Sequence, residues 1–220
     1  MSSETGTGGS LARFTIASDH LYLADRAWIT PIDISNPAAP VEKPRIHLEF
    51  EVETIFPYED KLFIGSTTGM FIYSISDPST PKLLGKALHL RSCDPVVAND
   101  TASYVTLRGD SRCGPAQDGL YIYNIKDLSK PVQTSLLPLG RPGGLGLKDS
   151  VVFVCRNEQG LTAVNVSDMA NPTVMYTLKD AVYKDVIPYG DLLICYISTG
   201  ILLYDMSDLR ELKLLGTLNN

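Results

Sequence analysis

The stretch from Gly69 to Gly85, GMFIYSISDPSTPKLLG, decides the fold. It reads as a short apolar strand, an Asp-Pro turn and a second short strand. Asp before Pro suits a tight turn, because Pro sets φ at the second position and the carboxylate can cap a turn amide. Echoes of its Ile-Ser-Asp-Pro core recur along the 220 residues: Ile34-Ser35-Asn36-Pro37, Ile75-Ser76-Asp77-Pro78, Ile125-Lys126-Asp127, Val166-Ser167-Asp168 and Met206-Ser207-Asp208. The spacings are 41, 50, 41 and 40 residues. A fixed period in this range marks a repeat architecture and outranks any residue-by-residue assignment.

Within a copy the pattern has four parts, clearest from Val52 to Ala87. Strands are expected over 52–58, 61–66, 70–75 and 82–87, with turn residues between them. Runs such as Met70-Phe71-Ile72-Tyr73 and Val151-Val152-Phe153-Val154 are apolar on both faces, whereas a sheet with one wet face would alternate. Four-stranded units of this length, each wedged between like neighbours, describe the blades of a β-propeller. The expectation is an all-β, five-bladed β-propeller with four-stranded blades, over approximately 11–50, 51–90, 91–140, 141–181 and 182–220, forming one domain after a polar tail at 1–10. The chain enters on an innermost strand and leaves on an outermost one, so no blade need be shared between the termini. Ring closure is then expected to rest on packing of the first blade against the fifth. In the first copy Pro31 costs a ladder hydrogen bond, so the third strand there is expected to be irregular, with Trp28 in the loop before it.

MFIYSISDP (70–78), LYIYNIKD (120–127) and LLYDMSD (202–208) resemble the repeat of the LVIVD-repeat proteins, found mostly in bacteria. The likeness runs over nearly the whole chain. It implies a propeller and, because family members often look exported or lipid-anchored, an extracytoplasmic or cell-surface location, with the cytoplasm as the alternative. It implies no particular reaction.

Composition narrows the partners. There are 19 basic and 25 acidic residues and no Lys/Arg run. Nucleic acid and anionic membrane surfaces are bound by clustered positive charge, so neither is expected. No apolar run reaches the length that spans a bilayer. The expected partner is a protein or a glycan, the expected state a monomer, and no cofactor is called for.

The third copy is longer than the others. Its extra residues fall in RGDSRCGPAQDG (108–119), a loop that in a propeller emerges on the face where strand one begins. Cys93 sits at that beginning and Cys113 in the loop, so a Cys93–Cys113 disulfide is expected to tie loop to rim, contributing about 3 kcal/mol under the chain-entropy model. Cys155 and Cys195 fall in second strands and read as buried core thiols.

Aligning the copies places two columns at the mouth of the channel: Ala12, Glu53, Asp94, Gly143 and Lys184, then Arg13, Thr54, Pro95, Gly144 and Asp185. Converging polar groups in a cavity are the default site hypothesis. The candidate ligand-binding residues are Arg13, Trp28, Glu53, Asp94, Arg112, Arg141, Lys184 and Asp185, with Arg108, Arg156 and Glu158 nearby. A binding module is the favoured reading. A glycoside hydrolase with Glu53, Asp94 and Asp185 as acid, base and orienting groups is the second, and a structural ring of ion pairs with no ligand the third. Gly143-Gly144 reads as an innermost strand crowded against the central channel, where side chains do not fit, not as a phosphate loop. His20, His47 and His89 lack metal-site spacing, and no metal is expected.

Overall fold

The computed structural model describes residues 10–88, 95–109 and 115–219, which form strands and turns without a helix. Five antiparallel sheets follow one another along the chain. The first holds β1 (Phe14–Ala17), β2 (His20–Asp25), β3 (Trp28–Asp33), β4 (Val41–Glu42) and β5 (Ile46–His47). The second holds β6 (Val52–Tyr58), β7 (Lys61–Ser66), β8 (Gly69–Ser74) and β9 (Lys82–Leu88), and the third β10 (Val96–Ala98), β11 (Ala102–Leu107), β12 (Gly119–Asn124) and β13 (Val132–Pro138). The fourth comprises β14 (Leu145–Lys148), β15 (Val151–Cys155), β16 (Leu161–Asn165) and β17 (Thr173–Leu178); the fifth β18 (Tyr183–Tyr189), β19 (Leu192–Ile197), β20 (Gly200–Asp205) and β21 (Lys213–Asn219). Each sheet runs in sequence order from an inner to an outer strand, so no blade is shared between the termini. The fold is a β-propeller of five blades.

The core lies between blades. Tyr22 and Ile29 of the first blade meet Ile64 and Phe71 of the second. Phe63, Met70 and Ile72 meet Val105 and Tyr123. Tyr104 and Ile122 meet Val152 and Val164, and Phe153 and Ala163 meet Val186 and Tyr204. A middle-blade strand such as β7, with Leu62, Phe63 and Ile64 all fully buried, contributes to both neighbours, which is why its sequence does not alternate.

Two details of the first blade differ from expectation. β3 is a complete six-residue strand that begins at Trp28, so Trp28 is not a loop residue. The irregularity lies one strand further out: β4 pairs with Ile32 and Asp33, β5 pairs with Trp28 and Ile29, and the gap faces Thr30 and Pro31. Pro31 has no N–H to offer an outer strand, so the break appears in its partner.

The turns after the third strands are built alike. The side chain of Asn36, Asp77, Asp127, Asp168 or Asp208 accepts from the backbone N–H two residues on, at 3.2, 3.1, 3.0, 2.9 and 3.0 Å respectively. A second polar residue ends each third strand and does the same: Asp33, Ser74, Asn124, Asn165 and Asp205 cap the amides of Ser35, Ser76, Lys126, Ser167 and Ser207. These tandem side-chain turns end the strand and aim the next one outward.

The residue after the turn Asp also carries the carbonyl against which the preceding blade docks. The Tyr22 hydroxyl donates to the Pro78 carbonyl at 2.9 Å, the Ser135 hydroxyl to that of Met169 at 2.6 Å and the Tyr176 hydroxyl to that of Leu209 at 3.0 Å. At the remaining junction among the first to fifth blades in sequence, Gly85 packs so closely on the Leu128 carbonyl that a Cβ would collide with it.

Closure does not follow the expectation. Among the described residues no hydrophobic cluster joins the first blade to the fifth. Their outward faces alternate with buried ones, as on a sheet packed on one side: Phe14 is 62% and Ile16 50% exposed in β1, and Tyr196 is 55% exposed in β19.

Candidate functional site at the channel mouth

The inner strands begin around the mouth of the channel. There the chain encloses a cavity of about 400 Å³ lined by Leu11, Arg13, Glu53, Thr54, Pro95, Arg108, Pro142, Gly143, Gly144, Asn157 and Lys184. Most of these come from the two columns that the repeat alignment places together. Asn157, Leu11 and Pro142 were not anticipated; Asn157 arrives from the turn between β15 and β16 and has no counterpart in the repeat.

Several bonds set the shape of the rim. The Lys184 ammonium donates to Asn157 Oδ1 at 2.9 Å. The Thr106 hydroxyl donates to the Gly143 carbonyl at 2.6 Å, joining the third blade to the fourth. Gly144 lies against the Lys184 carbonyl and the Asp185 side chain, where a Cβ would not fit, so this glycine is a packing feature of adjacent inner strands, whereas a Cβ at Gly143 would meet only ordinary contacts. Arg13, Arg108 and Lys184 thus face a cavity whose described carboxylate is Glu53.

Asp185 has another task. Its carboxylate accepts from the Ser10 hydroxyl at 3.0 Å, from the Leu11 N–H at 3.4 Å and from the Val186 N–H at 3.0 Å. Burial pushes its pKa up, against these hydrogen bonds, which favour the charged form. Ser10, expected in a polar tail, is buried and also accepts from the Leu145 N–H at 2.7 Å. Ser10 and Leu11 are therefore strapped across the inner strands of the fourth and fifth blades.

Other candidates sit apart from the cavity. Trp28, 42% exposed, meets His47 edge-on with ring centroids 4.6 Å apart. Arg141 pairs with Glu158 at 3.2 Å on the exposed rim, and Arg156 donates to the Gly140 carbonyl. His20 bridges the Ser18 carbonyl and the Ser79 hydroxyl, a structural role. Asp94, Arg112, His89 and the Cys93–Cys113 pairing lie outside the described residues, and among the described residues no group of metal-ligating side chains converges. Cys155 and Cys195 are buried free thiols. A cluster absent from the sequence reading stands between the fourth and fifth blades: Tyr183 and Tyr204 each donate to Asp180 at 2.7 Å, and their hydroxyls lie 2.8 Å apart.

Comparison with known proteins supports the repeat and the fold. The LVIVD repeat family model matches residues 8–47, so the chain carries this repeat. A search of curated proteins finds no match. Among solved structures, a functionally unknown protein from Desulfotomaculum acetoxidans superposes with a TM-score of 0.73 at 10% identity, over 98% of this chain and 70% of that one. A protein from Lactobacillus plantarum gives 0.70 at 14% identity, over 93% and 69%. The periplasmic gluconolactonase of Pseudomonas aeruginosa gives 0.69 at 11% identity, over 91% and 67%. Likeness at these identities concerns the fold alone. No helix among the described residues is long and apolar enough to cross a membrane.

Proposed function

We propose that this LVIVD-repeat propeller is a non-catalytic binding module of the exported or cell-surface type, which takes an anionic group of a glycan or protein partner into its channel mouth. The observation that carries this reading is the cavity of about 400 Å³ in which Arg13, Arg108 and Lys184 stand against one described carboxylate, Glu53. A cleft of that size suits a small ligand or one protruding residue of a larger one. Guanidinium groups in it offer bidentate hydrogen bonds to a carboxylate. The exported location rests on the resemblance to the repeat family and is checked by cell fractionation.

The second reading, hydrolysis by Glu53, Asp94 and Asp185, is less well supported because Asp185 is engaged by Ser10, Leu11 and Val186 and is absent from the cavity wall. Calorimetric titration with uronic-acid oligosaccharides, their neutral counterparts and acidic peptides tests the binding reading. Anionic ligands are expected to bind, and Arg13→Ala and Lys184→Ala to weaken them about tenfold each, the usual scale for a hydrogen bond to a charged group. No preference for charge removes the reading. Turnover abolished by Glu53→Gln replaces it with the hydrolytic one.

A further inference from the structure

We propose that the outer flank of the fifth blade and the opposite flank of the first are not surface but interface, and that their occupant is further four-stranded β-blades of the same repeat, continuing the ring on the same polypeptide. The argument begins with one register position. Gly85, Ser135, Tyr176 and Gly216 lie opposite Ile72, Ile122, Ala163 and Leu203, the same place in the outer strand of four successive blades. In three of them the place is filled by the carbonyl after the turn Asp of the following blade: Leu128 against Gly85, Met169 bonded to Ser135, and Leu209 bonded to Tyr176. At Gly216 no described atom lies within 4 Å of where a Cβ would stand. The fifth blade has the same glycine that the second uses to admit a neighbour's turn, and the neighbour is missing.

If the ring closed on itself, the Pro37 carbonyl of the first blade would fill that place. It does not, and the two facing flanks show the same vacancy. On the first blade Phe14, Ile16, Leu21, Leu23 and Ile32 share one face, by pairing of Phe14 with Leu23, Ile16 with Leu21 and Leu21 with Ile32. All of them are half-buried or exposed. On the fifth, Ile187, Ile194, Leu203, Tyr196, Ile201 and Leu218 share a face in the same way, Tyr196 and Leu218 being 55% and 64% exposed. Both faces are apolar at positions that the inner blades bury, and a patch of that kind marks an interaction surface.

The kind of occupant follows from the geometry. Leu218, Gly216 and Leu203 repeat the surface that β8 and β9 present to the third blade, so what fits is a blade carrying an Asp-x turn. A second copy of this chain fits less well: the first-blade and fifth-blade flanks differ, so contact between copies would be head-to-tail and covers both flanks only where the rotation closes a ring. Further blades in the same chain cover both flanks at once. The longer propellers to which the chain superposes have room for them: five blades spanning 69–70% of those chains leave space for roughly two more of equal size. The Ser10–Asp185 strap runs along inner strands and leaves the flanks open.

The test compares the 220-residue chain with the same chain extended after Asn220 by two tandem copies of its own residues 141–181. Sedimentation velocity and binding of a hydrophobic dye are read for both. The 220-residue chain is expected to self-associate with rising concentration and to bind dye; the extended chain is expected to be monomeric, dye-silent and higher in Tm. Gly216→Val is expected to leave the Tm of the shorter chain unchanged and to lower that of the extended one. Should the added copies fail to fold, Phe14→Lys with Ile16→Lys on the shorter chain still decides: self-association and dye binding are expected to disappear with the circular dichroism spectrum unchanged. A shorter chain that is monomeric and dye-silent overturns the proposal, as does one that loses stability on Gly216→Val, since the ring then closes on itself. A discrete dye-silent dimer of the shorter chain also overturns it, in favour of a second copy.

Discussion

The Ser10 hydroxyl donates to the Asp185 carboxylate at 3.0 Å, joining two residues 175 positions apart in sequence. The same oxygen accepts from the Leu145 amide, so Ser10→Ala leaves a buried N–H without its acceptor. The expected loss is about 1–3 kcal/mol in urea unfolding. Asp185→Asn is expected to cost less, because an amide oxygen in the Oδ1 place can still accept from Ser10 and Val186, and only the longer bond from Leu11 is lost. An unfolding midpoint unchanged by Ser10→Ala contradicts the strap.

Acid is expected to destabilise the protein through its turns. Hydrogen bonds from Ser35 hold the Asp33 carboxyl well below its usual range. The hydroxyl of Thr80 does the same for Asp77, that of Ser129 for Asp127, the Asn171 amide for Asp168 and the Ser207 backbone for Asp205. Arg210 takes Asp208 down to about 2. A carboxyl with a depressed folded pKa contributes stability that is complete above its unfolded value, near 3.8 for these residues, and that is lost as pH falls through the folded value. Asp185, raised by burial, works the other way: its folded state favours the proton, so its contribution falls as pH rises past 3.8. The six turn carboxyls outnumber Asp185, and the Tm is expected to drop between pH 5 and pH 2. Replacing Asp77, Asp127, Asp168 and Asp208 by Asn should flatten that slope, since Asn36 already makes the same turn in the first blade. A slope as steep as before would show that the turns are not its source.

Gly85→Ala is expected to cost about 1–3 kcal/mol, the usual range for overpacking a well-packed site. The added methyl meets the Leu128 carbonyl, a backbone atom that can move only if the third blade shifts. Thermal unfolding checks this, and a neutral substitution would show that the second and third blades are packed loosely.

Cys155 and Cys195 are expected to resist alkylation in the native protein and to react on unfolding. Both are buried, and desolvation pushes both thiols well above their ordinary range, so little thiolate forms at neutral pH. Peptide mapping after iodoacetamide treatment distinguishes this from ready labelling.

Much of the site was legible because the repeat aligns it. Arg13, Glu53, Thr54, Pro95, Gly143, Gly144 and Lys184 stand at equivalent places in successive copies, and equivalent places in a propeller share a radius and a height. Ser10 and Asn157 were illegible for the opposite reason: each lies outside the aligned strands and acts through long-range bonds. Trp28 was expected in the loop before β3 and instead begins that strand, and Pro31 was read as weakening its own strand, when the cost fell on the partner strand. The Asp180, Tyr183 and Tyr204 cluster had no signal, since it depends on a carboxylate meeting two hydroxyls from different strands.

By itself the sequence determined the blade: period, strand pairing and turn chemistry are local, set by alternation of apolar runs with Asp-containing turns that each copy carries whole. Only the tertiary structure decided how the blades meet. Whether a flank is core or surface depends on what stands next to it, so Gly85 and Gly216 look alike in sequence and differ in space, one filled by the Leu128 carbonyl and the other facing an open flank.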